Sequence, residues 1–174
     1  MKQLLLKNIH LIDNPQIGLT SLYTWLAKQK LYGKKSRERS RFLKYIEPRV
    51  KEISDERQKL LENYAEKDSE GKIIFKDKFG KDTTDKSKSV EFKLTEENQV
   101  KLSEAMKTYT EEPCKIDVIP ERKDSVDTVK DVVLNTEAEF EGPTAMMYDE
   151  WCNAFESIRT VNEDGEEVKK ENEG

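Results

Sequence analysis

The chain has 174 residues, 34% of them hydrophobic and 39% charged, with a formal net charge of −5. That length suits one domain with a tail, and the low apolar share calls for a small or elongated core. No apolar run approaches a membrane span, and MKQLLLKNIHLIDN lacks the small-residue cleavage site of a secretory signal, so no membrane partner is expected.

The net charge hides an asymmetry. Residues 1–51 hold 12 of the 31 Lys/Arg and 3 of the 36 Asp/Glu, a balance of +9; the remaining 19 and 33 leave −14 in residues 52–174. The basic part is concentrated between Lys28 and Lys44. Such a block can track a nucleic-acid backbone, yet an acidic chain repels one. Pairing of the basic half with the acidic half, of the same chain or a neighbour, is expected ahead of nucleic acid. Cys114 and Cys152 are isolated, which favours free thiols over a disulfide. One histidine, His10, and no paired cysteine spacing leave no basis for a metal or another cofactor; His10 itself reads as a structural surface residue.

In chain order, residues 2–12 are apolar without clean periodicity and suit a short strand or a helix start. Asn14-Pro15 reads as a cap and first helical residue. Leu19, Leu22, Tyr23 and Leu26 then share a helical face, with Trp25 beside it and Gly33 as the stop. The stretch Ser36–Lys67 follows, and in it Leu43, Ile46, Val50, Ile53, Arg57, Leu60 and Tyr64 recur at 3, 4, 3, 4, 3, 4. That is the seam of a left-handed helical pairing. A helix of about 30 residues is roughly 45 Å long. Pro48 falls on the face away from the seam, so it predicts a bent, unbroken helix. Arg57, at a seam position, needs a carboxylate and suits a register-setting role.

Asp68-Ser69-Glu70-Gly71 stops this helix. KIIF at 72–75 and VEFKL at 90–94 read as strands around a charged, mobile loop. Thr95 caps a second helix running to about Thr110, whose Asn98, Leu102, Ala105 and Tyr109 repeat the seam spacing. In an antiparallel pairing Tyr64 meets Asn98, Leu60 meets Leu102, and Arg57 faces Ala105 with Glu104 at hand. KIDVI at 115–119 is a further strand. Ser125 is a candidate cap for SVDTVKDVVLN, with Val126, Val129 and Val133 on one side. Thr144 is a candidate cap for TAMMYDEWCNAFESI, with Met147, Trp151, Phe155 and Ile158 on one face. From Thr160 onward the chain is charged and nearly free of apolar residues, so disorder is expected.

The fold expected is therefore α+β and mainly helical, a long antiparallel helical hairpin with a small antiparallel β-sheet at one end. The divisions expected are a hairpin and sheet domain over 1–120, a helical extension over 121–159 and an acidic tail over 160–174. The second helix, roughly 24 Å long, covers half of the first seam. Leu43, Ile46 and Val50 then await either the Leu19–Leu26 helix or another subunit, and a homo-oligomer is slightly favoured. Trp25 or Tyr45 would remain outward as the nucleus of a smaller contact patch.

No nucleophile elbow, phosphate loop, dinucleotide fingerprint or metal-ligand cluster occurs, so no enzyme is expected. Candidate partner-binding residues are Lys34, Lys35, Arg37, Arg39, Arg41, Leu43 and Ile46, with Met147, Trp151 and Phe155, for which a core role is the favoured alternative. The segments GKKSRERSRFLK, KEISDERQKLLENYAEKDSEGK and EFKLTEENQVKLSEAMKTYTEEPCKIDVI resemble a family of small proteins of unknown function from tailed phages and prophages of Gram-positive bacteria. The resemblance spans about residues 1–120. It implies a viral context, in the host cytoplasm or the virion, makes residues 121–174 an extension, and supplies no site residues. The leading expectation is a non-enzymatic phage protein, a virion or assembly accessory component working through phage or host protein partners. The alternatives are an inhibitor of a host or anti-phage defence protein through the acidic C-terminal half, and nucleic-acid binding through residues 28–51.

Overall fold

The computed structural model describes residues 2–162. It is a mainly helical α+β structure with small antiparallel sheets. The strands are β1 (Lys2–Lys7), β2 (Phe75–Asp77), β3 (Asp82–Thr83), β4 (Ser89–Phe92), β5 (Pro113–Val118) and β6 (Arg159–Thr160). The helices are α1 (Leu22–Lys28), α2 (Gly33–Tyr64), α3 (Glu96–Glu111), α4 (Lys123–Leu134) and α5 (Gly142–Glu156). The chain divides into two compact units, one of Met1–Lys51 with the chain from Glu112 onward, the other of Glu52–Glu111. This replaces the expected split at residue 120. The physical reason is strand pairing across the chain ends: β1 takes β5 on one side and β6 on the other, both antiparallel.

In the first unit β1 is the middle strand, which is why KQLLLK is apolar without alternating. Leu4 and Leu6 are buried on it, and Cys114 and Ile116 on β5. A polar row crosses the same sheet. Gln3, itself buried, donates from Nε2 to Asp117 Oδ1 (3.0 Å) and accepts on Oε1 from Arg159 (3.0 Å). The helix expected from Pro15 to Leu31 is shorter than the pattern implied. Pro15–Ile17 is a single 3₁₀ turn, closed by Gly18 at φ +71°. The helix starts only after Ser21, whose Oγ accepts from Thr24 N–H (3.2 Å). Asp13 reinforces that start, accepting from Ser21 N–H and the Thr24 hydroxyl, both at 2.7 Å. Gly33 opens α2 rather than ending α1, so the corner is Gln29–Tyr32.

Helix α2 runs unbroken through the exposed Pro48. Its buried row in the first unit is Glu38, Phe42 and Ile46, a step of four rather than the alternating three and four of a coiled-coil seam. A four-residue row suits helices and sheets packed around a globular core. Leu43 and Val50, expected on the seam, are half-buried beside it. Phe42 lies against Phe155 of α5, ring centroids 6.4 Å apart. Helix α4 buries Val126, Val129 and Val133 completely, as its spacing implied, but begins two residues before Ser125, whose hydroxyl donates to Arg122 O. Residues 121–159 are thus core, not an extension. The expected acidic tail starts later than Thr160: Arg159 and Thr160 are paired strand residues and Val161 is buried. Residues 163–174, the rest of that tail, lie outside the described residues.

The second unit is the expected antiparallel helical pair with a sheet at one end. Asn98 Nδ2 donates to Tyr64 O (2.8 Å), and the Tyr109 hydroxyl donates to Ile53 O (2.8 Å) and lies 3.1 Å from Glu56 Oε2. Both bonds fit one register, which sets Leu60 opposite Leu102 and Arg57 opposite Ala105. Ile53 and Leu102 are buried; Arg57, Leu60, Tyr64, Ala105 and Tyr109 are half-buried, and Glu104 is exposed. Thr95 caps α3 as expected, its hydroxyl accepting from Asn98 N–H (3.1 Å). The sheet has the order β3-β2-β4, with Phe75 and Phe92 in ring contact at 5.1 Å. The loop expected to be mobile contains β3 and a defined turn.

Candidate functional site

Of the five basic candidates for a partner surface, Lys34, Lys35, Arg37, Arg39 and Arg41, the fold uses four at home. Lys34 reaches Asp124 (3.3 Å) and Lys35 reaches Asp131 (2.7 Å), both on α4. The Lys35 ammonium beside Asp131 holds that carboxyl below its ordinary range. Arg39 donates to the Gln29 carbonyl and lies 3.5 Å from that of Leu26, satisfying the C-terminal end of α1. Arg41 pairs with the buried Glu38 at 2.7 Å. Arg37 is exposed. Exposed ion pairs of this kind contribute little each, but they place positive and negative halves of one unit face to face.

The Met/aromatic stripe of α5 is core. Trp151 and Phe155 are fully buried and Met147 is half-buried. Trp151 belongs to a four-ring cluster. Phe140 stacks on Tyr148 at 4.3 Å and meets Trp151 edge-on at 6.2 Å, while Trp25 lies 5.6 Å from Phe140 and 5.8 Å from Trp151. These rings fill one another's space and leave Trp151 Nε1 without an acceptor among the described residues. Burial, with Cys152 beside it, pushes the Tyr148 phenol up to about 12; its hydroxyl donates to Val133 O (2.9 Å). Trp25, a candidate outward patch, is buried in this cluster, and Tyr45 is half-buried with the Arg122 guanidinium 3.3 Å from its ring centroid. Ile46 is 2% exposed. Of the seam end that was to await another subunit, Ile46 is therefore covered within the chain, and Leu43 and Val50 are half-buried.

His10 is buried, not a surface residue. Its Nδ1 accepts from Lys7 N–H (3.2 Å), which assigns the ring hydrogen to Nε2, facing Glu150 Oε2 at 3.0 Å. Lys7 Nζ meets the same carboxylate at 2.9 Å. Burial raises the Glu150 carboxyl, and the hydrogen bonds from Lys7 and His10 outweigh it, so the group sits below its ordinary value. This cluster ties β1 to α5. Thr144 is also structural: its Oγ1 accepts from Thr20 N–H (3.1 Å) and donates to Gly18 O (3.2 Å). Cys114 and Cys152 are free thiols.

Among the described residues six large apolar side chains stand exposed: Ile17, Tyr32 and Met146 in the first unit, and Phe79, Val90 and Val100 in the second. The periodicity of the sequence could not single them out, because exposure at a turn or a helix flank leaves no repeat. Among the described residues no cluster of three metal-ligating side chains occurs, and no helix is long and apolar enough to cross a membrane. Comparison with protein-family models, curated proteins and solved structures finds no match.

Proposed function

We propose that this chain is a non-enzymatic phage protein that works through protein–protein contacts, as an accessory component of the virion or of its assembly in the host cytoplasm. The viral setting comes from the resemblance of residues 1–120 to small phage and prophage proteins. The observation that carries the mode of action is the exposure of Tyr32 (85%) and Met146 (71%) on a unit whose other Trp, Phe and Leu side chains are at least half covered. Aromatic and methionine side chains are the residue types that anchor protein interfaces. Lys34, Lys35 and Arg41 of the basic block are paired within their own unit, which supports apolar anchors over charge as the source of the contact.

The test is purification of the tagged chain from phage-infected or prophage-induced cells and from mature particles. A stoichiometric protein companion is expected, lost when Tyr32 and Met146 are both changed to Ser. Recovery of the chain alone from both sources overturns the proposal.

A further inference from the structure

The hairpin of β2 and β3 carries a second exposed anchor in the other unit, Phe79, with chemistry of a different kind. The sequence Asp77-Lys78-Phe79-Gly80-Lys81 forms a tight turn, pinned from within. The Asp77 carboxylate accepts from Phe79 N–H (2.8 Å) and Lys81 N–H (2.9 Å), and the two ends close by Asp77 N–H to Lys81 O at 2.9 Å. Gly80 takes φ +74°, and a Cβ built on it would meet nothing within 4 Å, so the apex projects into open space. Phe79 is 75% exposed there. A phenyl ring left mostly in water contributes little to folding, because little apolar surface is removed from solvent.

The charge around this apex is uneven in a particular way. Three acids around the small sheet are paired: Lys76 and Lys93 meet Asp82, Lys93 also meets Glu66, and Lys88 meets Asp85. Asp82 is held below its ordinary value by Lys76 and Lys93. Among the described residues Lys78, Lys81 and Lys86 have no carboxylate partner, and all three are exposed. Lys78 and Lys81 flank Phe79. Lys86 lies in the turn leading into Ser89, which pairs with Asp77 at the base of the same apex. The unit as a whole holds 12 basic and 15 acidic residues, so a polyanion meets net repulsion from it, against which this apex is a local exception.

We propose that this apex binds single-stranded nucleic acid, a base stacking on Phe79 while Lys78, Lys81 and Lys86 face phosphates. An exposed ring beside unpaired lysines is the arrangement by which single strands are held without sequence preference. An anionic membrane fits less well. The Lys78 ammonium lies 5.0 Å from the Phe79 centroid, covering one face of a ring that insertion would need bare, whereas stacking needs only the other face. This site is separate from the Tyr32 and Met146 contact and stands or falls without it.

Fluorescence anisotropy of the full chain with a labelled single-stranded oligothymidylate at low salt is the test. Three phosphate contacts on a single strand give a slope of about −2 in log affinity against log salt, and Lys81→Ala makes it shallower by about 0.7. Phe79→Leu, which keeps an apolar side chain but not a stacking face, weakens binding by roughly 5- to 150-fold, and Phe79→Trp retains it. Circular dichroism of these exposed-site variants matches the parent. Undetectable binding at low salt overturns the proposal, as does Phe79→Leu binding at parental strength. So does binding to phosphatidylserine vesicles without binding to the oligonucleotide, or binding that survives Lys78, Lys81 and Lys86 all changed to Glu.

Discussion

Truncating Phe155 to Ala tests whether the last third of the chain is core. Phe155 is fully buried at the end of α5, against Phe42 of α2. Removing a buried phenyl ring costs about 3–5 kcal/mol, as lost transfer energy plus the cavity left behind. Against a typical total stability of about 5–15 kcal/mol, that is a large fraction. For a unit of this size it lowers Tm by roughly 12 °C or more. The assay is built into the molecule. Both tryptophans, Trp25 and Trp151, lie in one ring cluster of the first unit, so their fluorescence on heating reports that unit without the other. A Phe42→Ala, Phe155→Ala cycle should return a coupling of about 0.5–1.5 kcal/mol for the ring pair. A chain stopped after Pro120 loses α4, α5 and β6, and no cooperative tryptophan transition is expected from it. A Phe155→Ala melting point within about a degree of the parent, or a cooperative melt of the shortened chain, would refute the assignment of residues 121–159 to the core.

Three further outcomes are expected. Tyr109→Phe removes the hydroxyl that bonds Ile53 O and Glu56, so urea unfolding followed by far-UV circular dichroism should show a loss of about 1 kcal/mol with helicity kept; an unchanged midpoint would disprove the register. Pro48→Ala restores an N–H inside an exposed stretch of α2 and should stabilise by roughly 1–3 kcal/mol in the same assay, whereas destabilisation would mean that the fold requires the proline there. Glu150 has a folded pKa below its ordinary 4.5; such a group contributes stability above its unfolded pKa, and the contribution is lost as pH falls through the folded one. Glu150→Gln should therefore destabilise at neutral pH and flatten the decline below about pH 4.5, and a parallel acid limb in parent and variant would remove Glu150 as its source.

Part of this protein was legible from local chemistry alone. The α2–α3 register follows from spacing, because the intervals of Tyr64, Leu60, Arg57 and Ile53 match those of Asn98, Leu102, Ala105 and Tyr109 in an antiparallel pair of consecutive helices. Thr95 as a cap and the three buried valines of α4 follow for the same reason: cap and repeat act within one or two turns of helix. The heptad reading failed where partners come from far along the chain. Phe42 was not on the expected seam, since what selects a face on α2 there is Phe155, more than a hundred residues later. Gly18 and Ser21 carried a signal that could have shortened α1, a left-handed turn residue followed by a strong cap. His10 carried none, because its burial depends on Glu150 of α5. The charge asymmetry was visible at once. Only tertiary structure decided that Lys34 and Lys35 would meet Asp124 and Asp131, and that Lys78, Lys81 and Lys86 would stand without a carboxylate around one apex. Periodicity records which side of an element faces the core, whereas pairing between distant side chains is set by the path the chain takes between them.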